Sequence, residues 1–298
     1  MSTEDMNITD QKVGKDSVVV GNAEAPAIYA IAIGASPLIS KSISEGAIAI
    51  GQNQLAGREE KENKNDKVKW PIAIGADSVS SGTASIALGQ KVVASGVQAV
   101  AISQNSMSTG SSSVAVGSGS ISSGSSSIAL GQKVSASGSQ AIVIGQNSSV
   151  TGSRSIVLGS DSKSSSSSSI IVGQKVNISA SQGIAIGQNA SVTASGGIAL
   201  GANSVASKSN VVSVGRPGNQ RKIVNVAAGN ISKNSTEAVN GQQLYAELAR
   251  MNALDIKNKQ LEMDIKKLES TIDNLTHSIT HLTLLCQKNA DEVALLKK

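Results

Sequence analysis

Aromatic residues are almost absent from this sequence, which has no Phe, one Trp and two Tyr among its 298 residues. Aromatic side chains supply much of the area buried in an ordinary globular core, so we do not expect such a core here. The apolar residues available for burial are mainly Ala, Val and Ile. They suffice where one short unit is buried many times, which predicts a repeat architecture.

Cysteine and long apolar runs are also scarce. Cys286 is the only cysteine, so no disulfide can form within the chain. No run of about 18 apolar residues predicts a membrane helix. Residues 1–16 are polar and lack the apolar stretch of a secretory signal. We therefore expect neither a signal peptide nor a membrane anchor in this chain.

The sequence has few residues suited to catalysis. Its two histidines, His277 and His281, lie far from the serine-rich part of the chain, so no Ser or Cys has the neighbours that a nucleophilic triad requires. Their spacing of four residues suits a metal, but no third ligand is nearby, and we interpret both as a solvated helix face. We predict no enzyme activity, cofactor, metal site or small-molecule substrate.

The net charge is +5 and is unevenly distributed. Residues 1–233 carry 18 Lys and Arg against 12 Asp and Glu, whereas residues 234–298 carry 8 against 9. The basic part suits acidic partners such as anionic glycans, but it lacks aromatic stacking residues and a dense basic stripe, so we predict no nucleic-acid binding. We interpret the charge as that of an ordinary solvated surface.

A repeat of 14 residues fills the middle of the chain. An apolar tripeptide followed by a small residue occurs eleven times without a change of step. The small residues are Gly75, Gly89, Ser103, Gly117, Gly131, Gly145, Gly159, Gly173, Gly187, Gly201 and Gly215. Three repeats form a longer unit of 42 residues, marked by Gly-Gln-Lys-Val. Self-similarity at a fixed short period predicts a solenoid.

Changes in composition and period divide the chain into six segments. We predict a polar N-terminal segment at 1–16, irregular repeats at 17–57, a charged insertion at 58–71, regular repeats at 72–211, a neck at 212–243 and a stalk at 244–298. We interpret the insertion as a solvated loop, although it is also the best candidate for a partner contact. Trp70, the only Trp, is expected to cap the next coil rather than anchor a partner.

Each repeat predicts two short strands separated by Gly and Ser turns. In a strand such as Ile86-Ala87-Leu88, alternate residues point to opposite faces, and both faces are apolar. No other segment of the chain is available to cover a second face. We therefore expect oligomerisation, with the row of alanines represented by Ala87 covered by the strands of neighbouring chains.

From Leu244 the apolar period changes to alternating steps of 3 and 4, which predicts a parallel coiled coil. The a and d positions are Leu244, Met251, Asn258, Ile265, Ile272, Ile279, Cys286 and Val293, and Glu247, Leu254, Leu261, Leu268, Leu275, Leu282, Asn289 and Leu296. Ile at a with Leu at d favours a dimer, and buried Asn258 and Asn289 can shift that preference. The heptads therefore leave dimer and trimer open.

The junction between repeats and heptads carries the most specific pattern. It runs Val-Ser-Val-Gly-Arg-Pro-Gly from Val212, then Arg-Lys-Ile-Val-Asn-Val-Ala-Ala-Gly from Arg221, and closes with Glu-Ala-Val-Asn-Gly-Gln-Gln-Leu, ending at Leu244. This stretch closely resembles the neck of YadA-like trimeric autotransporter adhesins and lies where that family has it. The repeats are also similar to that family's head motif, so the resemblance covers about residues 17–298.

The resemblance implies a homotrimer with a head of left-handed parallel β-rolls, a neck that crosses between chains, and a parallel trimeric coiled coil. The chain contacts in the neck would involve Arg221, Ile223, Asn225, Val226, Ala238, Val239, Asn240 and Leu244. Asn289 would hold an anion on the stalk axis, although setting the register explains it equally well. Attachment to host matrix proteins, cell-surface receptors or other bacteria is the implied function, at the bacterial cell surface or outer membrane.

Two departures from the family keep other interpretations open. Family members begin with a secretion signal and end in a membrane β-barrel, and we expect neither in this chain. A fragment of an adhesin without its anchor, or a non-adhesive structural fibre or spacer such as a phage tail component, would fit the sequence too.

Overall fold

A computed structural model describes residues 13–34, 38–58 and 68–296. Most of the N-terminal segment 1–16 and of the charged insertion 58–71 lies outside these residues. The chain divides into two compact units, Met1–Arg221 and Lys222–Lys298. The first unit is a β-roll and the second contains one long helix.

Two parallel sheets form the β-roll, with 14 strands in sheet A and 13 in sheet B. Sheet A consists of β1 (Val18–Gly21), β3 (Ile31–Gly34), β5 (Ile48–Gln52), β7 (Ile72–Ala76), β9 (Ile86–Gln90), β11 (Val100–Ile102), β13 (Val114–Val116), β15 (Ile128–Gln132), β17 (Ile142–Gln146), β19 (Ile156–Ser160), β21 (Ile170–Val172), β23 (Ile184–Ile186), β25 (Ile198–Leu200) and β27 (Val212–Ser213). Sheet B consists of β2 (Ala23–Glu24), β4 (Ser40–Ser42), β6 (Leu55–Ala56), β8 (Val79–Ser80), β10 (Val93–Ala94), β12 (Met107–Ser108), β14 (Ile121–Ser122), β16 (Ser135–Ala136), β18 (Ser149–Val150), β20 (Lys163–Ser164), β22 (Asn177–Ile178), β24 (Ser191–Val192) and β26 (Val205–Ala206).

Consecutive strands of the chain alternate between the two sheets, so one repeat makes one coil. Each strand pairs with the strand one coil away at an unchanged register, for example Ile86 with Val100 and Ala87 with Ala101. The irregular coils keep this register despite their longer steps, because Ile31 pairs with Ile48 and Ile48 with Ile72. The prediction of a parallel β-roll with two strands per coil is confirmed.

The row of alanines faces inward, which corrects the expectation that neighbouring chains cover it. Ala87, Ala101, Ala115 and Ala129 are fully buried within the single chain. The two sheets of one coil approach closely enough for a small residue to fill the space between them. The flanking Val, Ile and Leu point outward instead and are half-exposed. The strand does have two apolar faces, but the branched one is left uncovered.

Inside the roll, residues five apart in one coil complement each other in size. Ser80 and Ser85 share a hydroxyl hydrogen bond of 2.7 Å. Where the first position holds the larger Ile178, the second is Gly183, and an added Cβ there would lie 2.9 Å from the Ile178 side chain. Buried serine hydroxyls also bond backbone atoms, as Ser85 Oγ donates to Gly82 O at 2.7 Å. The interior is thus closely packed without any large residue.

Glycine follows the sheet A strand in most coils because the chain turns there with positive φ, 134° at Gly75 and 129° at Gly89. A Cβ on Gly75 would lie 1.9 Å from the carbonyl oxygen of Gly89 in the next coil. Ser103 is the exception in this column and adopts a φ of 95°. That value lies in a region where a side chain is strained.

We expect Ser103→Gly to raise the free energy of unfolding of the β-roll by about 1 kcal/mol, because glycine adopts this backbone conformation without strain. Urea unfolding followed by circular dichroism measures it. Ser118→Gly is the matched control, since Ser118 is not among the residues with positive φ and should lose stability by chain entropy alone. Equal losses in both variants would contradict the strain at Ser103.

The second unit contains a single helix, α1 (Gly241–Leu296), of 56 residues. At about 1.5 Å per residue it is about 84 Å long. No residue of α1 is buried in the single chain. The prediction that a long helix follows the roll is confirmed, and it begins at Gly241, before the first heptad position at Leu244.

Candidate functional site

The outer surface of sheet A is a continuous aliphatic face. Both outward positions of every strand from β1 to β25 in this sheet are Val, Ile or Leu. The strand registers stack these side chains in two rows, and their exposed fractions include 41% for Ile144 and 45% for Leu200. At about 4.8 Å per strand the face extends for about 60 Å. A strip of this length is larger than the apolar patches of ordinary monomers, so it is a candidate interface.

Sheet B does not share this pattern. Its outward positions include Lys41, Ser135, Ser149, Lys163 and Asn177 among the aliphatic residues. A mixed polar surface needs no partner to cover it. The chemical difference between the two sheets therefore points to sheet A as the surface that assembles.

Polar side chains form ladders at the corner that follows the sheet A strand. Gln104 Nε2 donates to Gln90 Oε1 at 3.0 Å, and Gln146 Nε2 donates to Gln132 Oε1 at 2.8 Å. Each bond joins residues 14 apart, so it links one coil to the next. These ladders were not predicted from the sequence, although the recurrence of Gln after the repeat glycine is the pattern that indicates them.

Arg221 closes the last coils of the β-roll. Its guanidinium donates to the backbone oxygens of Ala202 and Val214, both at 2.6 Å, and to Ser204 Oγ at 2.9 Å. No further coil pairs with this end in the described part of the chain, so the arginine satisfies carbonyl groups left at the end of the stack. This contact lies within one chain, and the predicted role of Arg221 between chains stays a prediction.

Six of the predicted neck residues line one concave surface of the second unit. The concavity has a volume of about 680 Å³ and is lined by Ile223, Asn225, Val226, Ala238, Val239, Asn240, Gly241 and Gln242. Its apolar side chains are open to solvent, with exposed fractions of 70% for Ile223 and 60% for Val239. Leu244 lies at the start of α1 and is also exposed. An open apolar concavity of this kind suits a side chain of another copy.

Asn240 caps α1 and attaches the preceding segment to it. Its Oδ1 accepts from the backbone N–H of Gln243 at 3.1 Å, and Gln243 Oε1 accepts from the N–H of Asn240 at 3.2 Å. This is the reciprocal arrangement of a capping box. Asn240 Nδ2 also donates to Val226 O at 3.1 Å, and Gln243 Nε2 to Gly229 O at 2.7 Å. Gln243 was missed in the sequence, although the Asn-Gly-Gln-Gln spacing indicates it.

We expect Asn240→Ala to destabilise the start of α1 by about 1 to 2 kcal/mol, because it removes both the cap and the bond to Val226. Amide hydrogen exchange should show faster exchange over the first helical turns and over residues 226–229. Asn274→Ala, in the middle of the exposed helix, is the control and should leave exchange there unchanged. Unchanged exchange in Asn240→Ala would refute this role.

The heptad residues of α1 form an uncovered apolar seam. Leu261, Ile265, Leu268 and Ile272 are all exposed in the single chain, with 62% for Leu268. A helix of this length with every apolar residue in water is stabilised mainly by packing against a partner. Asn289 and Cys286 lie on the same helix and are also exposed. Nothing in the single chain tests the anion proposed at Asn289.

The histidines are both exposed on α1, with His277 Nδ1 lying 3.0 Å from Asp273 O. Among residues 13–34, 38–58 and 68–296, no group of three or more His, Cys, Asp or Glu side chains is arranged to hold a metal. Over the same ranges, no helix has the length and apolar character needed to cross a bilayer.

Comparison with known proteins adds to this geometry. Residues 72–91, 108–133, 136–162 and 179–204 match the family described as the YadA head domain repeat. No curated protein matches the chain. A solved structure of the C-terminal YadA-like domain of a Burkholderia pseudomallei protein is 36% identical over 29% of this chain and 51% of its own, with a TM-score of 0.28. This chain thus spans about half the length of that domain.

A second solved structure is the collagen-binding domain of the Yersinia adhesin YadA. It is 24% identical to this chain, and the alignment covers 68% of this chain and 83% of that domain, with a TM-score of 0.33.

Proposed function

We propose that this chain, whose regular coils are YadA head domain repeats, assembles as a homotrimer at the bacterial cell surface and attaches to matrix proteins or receptors of host cells. The repeats are those of adhesins, and adhesins act by binding rather than by catalysis. The resemblance to trimeric autotransporter adhesins thus supplies the function class. The partners, the trimer and the location belong to the proposal.

The aliphatic face of sheet A carries the proposal. Every coil from β1 to β25 presents two branched apolar side chains outward, and the described part of the chain does not cover them. Identical faces of neighbouring chains would bury them at about 25 cal/mol per Å² of apolar area. The interior of the assembly would then be branched side chains, whereas each coil already buries its own alanines.

The neck and the helix support the same assembly. The open concavity at Ile223 and Val239 and the exposed seam at Leu261 and Leu268 are apolar surfaces that further copies would cover. Residues Asn225, Val226, Ala238, Asn240 and Leu244 would join the chain contacts in the neck. Asn289 would lie on the axis of the stalk, where its amide suits an anion.

Three copies of a repetitive head would bind by avidity. Many coils present similar shallow surfaces, so each contact is weak and the assembly holds its target through several at once. This mode of binding requires no deep pocket.

The test is binding of the purified, assembled protein to surfaces coated with collagen or fibronectin and to cultured cells. We expect saturable binding to at least one surface, weakened at least tenfold when assembly is prevented. Intact assemblies that bind none of these surfaces would contradict the adhesin function and favour a structural fibre or spacer.

A further inference from the structure

Two of the three aromatic residues of the chain lie on one corner of the β-roll. Tyr29 and Trp70 occupy equivalent positions in the corner that leads into a sheet A strand, and Gly46 is the equivalent residue in the coil between them. Backbone bonds establish this order, since Gly46 N–H donates to Ile28 O at 2.9 Å and Trp70 N–H to Glu45 O at 2.8 Å. We call Ile28, Tyr29, Gly46 and Trp70 the aromatic corner.

The fold does not require aromatic residues at these positions. Both have left-handed backbones, with φ of 58° at Tyr29 and 53° at Trp70. Other coils place Ser112, Ser126 or Asn210 at the equivalent position with the same φ sign. A bulky side chain in this region is an uncommon and costly choice, which points to a role outside the backbone.

Nor does burial explain the two rings, because Tyr29 is 60% and Trp70 58% exposed. The Trp70 ring lies against Gly46, where an added Cβ would be 2.3 Å from its Cδ1 atom. Gly46 therefore leaves the corner flat between the two rings. With Ile28 also exposed, the corner presents an apolar aromatic surface on an otherwise serine-rich edge.

The charges beside the aromatic corner cancel. Lys69 Nζ lies 3.0 Å from Glu45 Oε2 and 5.9 Å from the centre of the Trp70 ring. Lys15 and Asp16 are adjacent in the first described coil. A surface of exposed aromatic rings with a balanced ion pair favours a partner of low net charge over a polyanion.

The spacing of the rings selects among the common modes of peptide recognition. The corner has no strand edge that a partner strand could extend and no groove that a helix could enter. Tyr29 and Trp70 are two coils apart, so their backbones are separated by about 10 Å. One turn of a polyproline II helix contains three residues and rises about 9 Å. Prolines three residues apart would therefore meet successive aromatic residues.

We infer that the aromatic corner binds a proline-rich segment of another protein in the polyproline II conformation. Prolines at i and i+3 stack on Trp70 and Tyr29, and the intervening residues pass over Gly46. Lys69 and Glu45 offer hydrogen bonds to the backbone carbonyl and amide groups that this conformation leaves free. The inference deepens the proposed function, on which it rests only in that an adhesin has a protein partner.

Trp70 makes the test direct because it is the only Trp in the chain. Its fluorescence is followed in the full-length protein during titration with decaproline, and with a Gly-Ser peptide of equal length. We expect a saturable change in emission with decaproline alone. Tyr29→Asn should weaken binding at least tenfold without lowering the unfolding midpoint, since asparagine tolerates a left-handed backbone.

Tyr245→Ala, at the start of α1, is the matched aromatic control and should bind decaproline as the native chain does. Equal responses to both peptides, or a response that Tyr29→Asn leaves unchanged, would overturn the inference. So would binding of a neutral oligosaccharide such as cellohexaose that depends on Tyr29 in the absence of decaproline binding. Adhesion to matrix or cells that persists in Tyr29→Asn would sink the inference and leave the proposed function intact.

Discussion

The double substitution Leu130→Asp and Ile144→Asp is expected to separate the assembled protein into single chains. Both residues lie on the aliphatic face of sheet A in consecutive coils, where Leu130 pairs with Ile144 in the strand register. A carboxylate placed in a buried apolar interface without a partner costs several kcal/mol, and each chain would bring two of them. Light scattering after size exclusion should show the loss of assembly.

Ser135→Asp with Ser149→Asp provides the control for that experiment. These serines occupy the outward positions of β16 and β18 in sheet B, in the same two coils, and add the same charge. Their variant should keep the native mass. Equal dissociation by both pairs would assign the effect to charge alone, and an undisturbed mass in the sheet A variant would exclude that face as the interface.

A single methyl group at Gly145 is expected to disrupt the β-roll. Gly145 has a φ of 145°, and a Cβ would lie 1.9 Å from the carbonyl oxygen of Gly159 in the next coil. Neither backbone can move without breaking the pairing of the coils on both sides. We expect Gly145→Ala to lower the free energy of unfolding by more than about 3 kcal/mol.

Gly119→Ala is the matched variant because Gly119 also has a positive φ, 67°, but the nearest atom to its added Cβ is Lys133 Cγ at 3.6 Å. It should lose only about 1 kcal/mol from backbone strain. Urea unfolding of both variants followed by far-ultraviolet circular dichroism compares the two. Similar losses would show that the contact with the next coil is not what requires glycine at 145.

The period of the sequence was sufficient to predict the β-roll because it sets the register directly. Residues 14 apart are equivalent, so Gly131 and Gly145 must meet in parallel strands, as they do. The resemblance to YadA-like adhesins is also confirmed, by the head repeats within residues 72–204. Period and motif are local properties, and both can be recognised without knowing how the chain folds back.

Which face of the sheet A strand lies inside was predicted wrongly. Alternation shows that Ala87 opposes Ile86 and Leu88, but it does not show the distance between the two sheets of a coil. That distance is short enough to admit only small residues, which places alanine inside and the branched side chains outside. The size exchange between Ile178 and Gly183 follows from the same constraint, since the pair is adjacent only after the coil closes.

The aromatic corner and the neck depend on contacts that sequence separation hides. Tyr29 and Trp70 are 41 positions apart, and they share a corner only because the insertions before Ser40 and Ile72 leave the strand register unchanged. Arg221 was predicted as a contact between chains, whereas within the single chain it bonds the carbonyl groups of Ala202 and Val214. A motif identifies such a residue without showing its partner atoms.

Sedimentation equilibrium of the purified chain is the most direct test of the account. A chain of 30.0 kDa that covers its aliphatic face with two further copies has a mass of about 90 kDa, independent of concentration over the range measured. A stable, folded species of 30.0 kDa would mean that the outer face of sheet A is tolerated in water, and it would contradict both the assembly and the binding by avidity built on it.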